Sequence, residues 1–157
     1  MPMTDAPASR ALRREWLAVL AHAPRDALAR HAGAIDTAAF EWLRKPETGL
    51  AMLRGRIGNG GDRFNLGEAT LTRCVVRHRG VQGGVTAGLG YVLGRDAERA
   101  EWVARLDAML QQPEHQGALL HDVIAPLREA TKAACAADAA RTAASRVRFF
   151  TLASEVE

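Results

Sequence analysis

Arginine is the residue type with the most chemical potential in this chain. Of 21 basic residues 19 are arginine, and Lys45 and Lys132 are the two exceptions. A guanidinium is a planar fork of donors that fits carboxylates and phosphates. Arg54 and Arg56 alternate with Leu50 and Met52, and Arg73, Arg77 and Arg79 alternate with Leu71 and Val75. Period two points each set to one side of a strand. If the strands pair, they form either a guanidinium patch open to a polyanion such as triphosphate, or a solvated face with edge charges.

The other reactive types are sparse. Gly55-Arg56-Ile57-Gly58-Asn59-Gly60-Gly61 follows a strand pattern but lacks the Gly-Lys-Ser/Thr ending of a phosphate loop. Phe64 onwards has strand character, so no helix follows to complete a dinucleotide fingerprint. The cluster reads as a hairpin loop whose backbone needs positive φ. His22, His31, His78, His115 and His121 include no i, i+4 pair, so no metal site is expected. Most of them read as surface or cap residues. Cys74 lies in an apolar strand and Cys135 in an alanine-rich helix, and both read as packing residues. The catalytic residues are unknown at this level.

Three regimes position these residues, and they predict an α+β domain spanning 1–157 as one unit. Residues 9–35 are helical: Leu12, Trp16 and Leu20 recur every four residues, Ser9 is the expected N-cap, and Pro24 opens a second helix. Residues 40–94 form a central antiparallel sheet of about four strands, Phe40–Arg44, Leu50–Ile57, Glu68–His78 and Thr86–Leu93. Ten of the 14 glycines fall between Gly49 and Gly88, and the short connections 58–62 and 80–84 favour hairpins over helical crossovers. Residues 96–146 return to a helical period, with Ala100, Val103, Leu106 and Leu110 as one stripe. A second helical segment covers about 116–124. Pro126 then begins an alanine-rich helix reaching about Arg146, whose shallow face is Leu127, Ala130, Ala134 and Ala137. Such a face buries little area and wants a neighbour. Residues 147–152, with Phe149 and Phe150, are expected to be extended.

Composition narrows the function classes. With 157 residues, 48% hydrophobic and 25% charged, the chain can bury a core and is not wholly disordered. Two cysteines give no disulfide framework. The start has no apolar signal region, and no uncharged stretch approaches the ~20 residues of a membrane span. A cytoplasmic location is expected. A net charge of +3 with 5% aromatic residues gives little support for nucleic-acid binding.

The order of several short motifs resembles the PhnG family of the bacterial carbon–phosphorus lyase system. They are Arg14-Glu15-Trp16-Leu17-Ala18-Val19-Leu20, Pro46-Glu47-Thr48-Gly49-Leu50, Gly55-Arg56-Ile57-Gly58, and Arg63-Phe64-Asn65-Leu66-Gly67-Glu68-Ala69-Thr70-Leu71-Thr72-Arg73. Gly90-Tyr91-Val92-Leu93-Gly94-Arg95-Asp96, Ile124-Ala125-Pro126-Leu127 and Ala144-Ser145-Arg146-Val147-Arg148-Phe149-Phe150-Thr151 follow. The resemblance implies a subunit that acts with the H, I and L proteins. That assembly transfers the ribose triphosphate moiety of ATP to methylphosphonate and releases adenine. The J subunit breaks the carbon–phosphorus bond, and K is a further partner. ATP is then a substrate of the complex, this chain binds no cofactor of its own, and no metal, nucleic acid or membrane is implied. The anion-binding or interface candidates are Glu47, Arg54, Arg56, Gly58, Gly61, Phe64, Glu68, Arg73, Arg77, Arg95 and Asp96. One departure falls in the glycine turn, where the family's Gly-Gly-Thr-Gly reads Gly58-Asn59-Gly60-Gly61 and the hydroxyl is missing at Gly60. A stand-alone polyanion- or nucleotide-binding domain is the alternative reading.

Overall fold

A computed structural model describes residues 7–32, 35, 39–57, 60–80 and 83–147. Two helices come first, α1 (Pro7–His22) and α2 (Arg25–Ala32). Pro24 stands just before α2, and its carbonyl accepts from Leu28 N, as expected for a helix start. Ser9 lies inside α1 rather than at its cap, because the helix begins earlier, at Pro7.

Three strands follow, β1 (Phe40–Arg56), β2 (Arg63–Arg79) and β3 (Val85–Leu93), in the antiparallel order β1-β2-β3. Among the described residues the sheet has three strands where about four were expected. Phe40–Arg44 and Leu50–Ile57 belong to a single 17-residue strand that runs through Pro46. Proline is tolerated there because β1 is an edge strand and the pairing register shifts between Arg44 and Glu47.

The chain then returns to helix with α3 (Ala97–Leu110) and α4 (Pro113–Leu119). A π-helical turn at Leu120–Ile124 leads without a break into α5 (Ala125–Ala144). No helix among the described residues is long and apolar enough to cross a membrane. Residues 148–152, expected to be extended, lie outside the described residues.

One face of the sheet is the core. Cys74, Val76 and Val92 meet Ala100, Val103, Ala104 and Ala108 of α3, with Trp16, Leu20 and Leu28 closing one side and Ile124 and Leu127 another. Alanine on the helix and glycine on the strand make the approach very close. A Cβ built on Gly88 would stand 1.9 Å from the carbonyl oxygen of Ala104, and one on Gly90 1.9 Å from that of Ala100. These two glycines are therefore spacers between layers rather than turn formers.

Two elements leave this body. β3 pairs with β2 only from Leu71 to Arg79, so beyond Gly49 and Leu71 the long strands continue as a two-stranded arm. On α5, Leu127 is the one buried residue, and the predicted face of Ala130, Ala134 and Ala137 is exposed.

Candidate functional site

Antiparallel pairing brings side chains of directly opposed residues to one face. Arg73 faces Glu47 on one side and Tyr91 on the other, and Arg77 faces Glu41. This face is open: Glu41, Arg44, Glu47, Arg73 and Tyr91 are all exposed. Glu47 Oε1 accepts from Arg73 Nε at 2.7 Å and from Arg44 Nη1 at 2.8 Å, while Glu41 accepts from Arg77. The Arg73 hydrogen bond, followed by that of Arg44, holds the Glu47 carboxyl below the usual carboxylate range. Arg77 does the same for Glu41. Beside this network is a hollow of about 270 Å³ lined by Glu47, Thr48, Gly49, Leu50, Leu71 and Arg73.

The arginines do not form one patch. From Glu47 to Leu53 β1 pairs without a break, so Thr48, Leu50 and Met52 point away from Glu47 and its partner Arg73. The register shift between Leu53 and Arg54 is taken up by the extra residue Leu66 on β2, which leaves Arg54 and Arg56 on that second side. Arg54 is opposite Asn65, and Arg56 is opposite Arg63. The sheet thus splits the predicted set into a carboxylate-paired group on the body and a second group far out on the arm. The expectation of a single guanidinium face fails because the two sets occupy opposite faces.

The remaining candidates scatter. Phe64 and Glu68 are exposed on the arm. Gly61 closes the hairpin loop, where a Cβ would meet the Ile57 carbonyl oxygen at 2.9 Å. Gly58 and Asn59 lie outside the described residues. Neither Gly60 nor Gly61 has the positive φ expected of this loop; Gly67, Gly83 and Gly94 do. Arg95 is exposed, whereas Asp96 is structural. It caps α3 by accepting from Arg99 N at 3.0 Å, and it pairs with Arg25, whose hydrogen bond lowers the Asp96 pKa.

The nucleophile candidates are equally poor. Cys74 is fully buried, and burial pushes its thiol up to about 12, which withholds the thiolate. Cys135 is exposed on α5, contrary to the packing role expected, because the second half of that helix is exposed along its length and packs on no other described element. Among the described residues no three His, Cys, Asp or Glu side chains are placed to hold a metal.

Among the described residues four polar ones, Thr72, His78, Asp107 and Gln112, are buried without a signal noted in the sequence, and two of them are ionisable. Asp107 has no exposure, yet it accepts from Arg13 at 2.7 Å, Trp16 Nε1 at 2.9 Å and Leu89 N at 2.9 Å. Its signal was available: it lies four residues after Val103 and three before Leu110, a charge within an apolar helical stripe. His78 is buried, with Gln112 Nε2 at 2.7 Å from its Nδ1. Burial first, and the nearby His115 second, lower its pKa.

Residues 11–154 match the family described as phosphonate metabolism protein PhnG. The chain is also 41% identical over 152 residues to the alpha-D-ribose 1-methylphosphonate 5-triphosphate synthase subunit PhnG of Rhizobium meliloti (strain 1021), covering 95% of this chain and 93% of that relative. A match of this length, through the strands, the arm and the helices alike, leaves one conclusion: the chain belongs to the PhnG family of phosphonate metabolism proteins.

Proposed function

We propose that this chain is a non-autonomous subunit of an α-D-ribose 1-methylphosphonate 5-triphosphate synthase. With the H, I and L partner proteins it takes part in transferring the ribose triphosphate moiety of ATP to methylphosphonate with release of adenine. ATP and methylphosphonate are substrates of the assembly. The similarity to a named synthase subunit supports this reading. So does the internal pairing of the body arginines: Glu47 engages Arg44 and Arg73, and Glu41 engages Arg77, so the open face has no free cationic cradle at these positions. The chain's contribution is assembly, or completion of a site on a partner.

The experiment is reconstitution. The purified chain is incubated with ATP and methylphosphonate, alone and with the partner proteins, and adenine is measured. No adenine from the chain alone and restored release with partners is expected; turnover by the single chain overturns the reading.

A further inference from the structure

The arm gives this subunit role a physical contact point. From Gly49 to Arg56 and from Arg63 to Leu71 two strands extend past the end of β3, and toward the tip one face is apolar while the other is basic. On one face lie Leu53, Phe64 and Leu66, exposed to 45%, 41% and 64%. Gly55 makes room for them: a Cβ there would meet Leu66 Cδ1 at 2.3 Å, so the leucine lies across bare backbone. On the other face lie Leu50 and Met52 near the body, exposed to 67% and 51% and with Glu68 opposite Met52, and then Arg54, Arg56 and Arg63 toward the tip.

These three arginines differ from those of the sheet body. Arg44, Arg73 and Arg77 each have a carboxylate partner, but among the described residues no ion pair reaches Arg54, Arg56 or Arg63. Arg56 and Arg63 are moreover directly opposed in the ladder. Like charges directly opposite destabilise a strand pair. A carboxylate from outside would relieve that repulsion, and an apolar groove would remove Leu53, Phe64 and Leu66 from water.

We propose that the arm is the docking element of the chain. Its occupant is a different subunit of the synthase, presenting an apolar groove rimmed by Asp or Glu side chains. A second copy fits poorly, since it would bring another unneutralised Arg56–Arg63 pair to the contact. A bound triphosphate would satisfy the arginines and leave the apolar face uncovered. The span of the arm matches the roughly 20–30 residues that each side of a standard interface contributes. This inference rests on the subunit reading above.

The test uses the full chain co-expressed with the remaining subunits of its synthase. Wild type is compared with the Arg56→Glu/Arg63→Glu and Phe64→Ser/Leu66→Ser variants by affinity capture and titration. Circular dichroism and melting verify that each variant folds. Each pair of changes is expected to weaken assembly at least tenfold, and added salt should weaken wild type more than an Arg56→Gln/Arg63→Gln variant. That conservative variant carries the test if the serine variant does not fold. Variants that assemble as wild type does overturn the arm as docking element while leaving the subunit reading intact. A wild-type chain that joins no other subunit overturns both. An arm-dependent dimer of the chain alone, or ATP binding by the isolated chain that the Arg56→Glu/Arg63→Glu variant loses, overturns the proposed occupant.

Discussion

The indole N–H of Trp16 donates to Oδ1 of Asp107 across 2.9 Å, with the two side chains 2% and 0% exposed. The bond joins α1 to α3. The same carboxylate binds Arg13 and the backbone N–H of Leu89, and Arg13 and Gln111 donate to the carbonyl of Ala87. These last contacts cap the outer edge of β3 with side chains, which keeps another strand from adding there.

Replacing Asp107 with alanine should therefore be costly. It removes the acceptor of a buried indole and a backbone N–H, and it strips Arg13 of its partner. A loss of about 3 kcal/mol is expected. Urea denaturation followed by tryptophan fluorescence and circular dichroism measures it, and near-wild-type stability would show that the site is relaxed by water.

Gly90→Ala and Gly88→Ala should each force α3 away from the sheet. The new methyl would overlap a helix carbonyl oxygen, and backbone cannot rotate aside as a side-chain tip can. Overpacking of this kind costs roughly 1–3 kcal/mol or more. Gly60→Ala, with nothing within 4 Å of its Cβ position, is the matched control and should melt close to wild type.

Acid should destabilise the chain in two stages. His78 has a folded pKa below its ordinary 6.5, so the unfolded chain binds more protons and stability falls as pH drops through 6.5. Glu41 and Glu47 have folded pKa values below 4.5, so their contribution is present above 4.5 and is lost as pH falls through the lowered values. Melting curves between pH 8 and about 3 should show both slopes. His78→Gln should flatten the first alone; an unchanged first slope would place the titrating group elsewhere.

The two thiols should behave oppositely. Cys135 is exposed and Cys74 buried, so a disulfide reagent should label one thiol of the native isolated chain and two after denaturation. Rapid native labelling of both would contradict the packing of β2 on α3.

Arg73→Ala and Arg95→Ala should leave the melting midpoint near wild type, since both side chains are exposed and surface ion pairs contribute little. If either serves a partner, synthase assembly or activity falls while stability holds. A matched loss of stability would make that arginine structural.

Much of the architecture was legible in local pattern. Trp16 and Leu20 announced α1, Val103, Leu106 and Leu110 announced α3, and alternation around Val75 placed β2, because periods of 3.6 and two are properties of a segment by itself. The ordered motifs likewise identified the family before any coordinate. Pairing is a property of two segments, and there the reading stopped. Whether Pro46 breaks a strand depends on its being at an edge, and whether Arg54 and Arg73 share a face depends on the register shifts of β1 against β2. Which arginines remain free depends on Glu41 and Glu47 arriving from another strand. Sequence alone determined the elements, their order and the family; tertiary structure decided which charges are neutralised within the chain and which have no ion-pair partner among the described residues. The physical reason is that neutralisation acts over a few ångströms between residues 26 and 36 positions apart, a distance no local pattern measures.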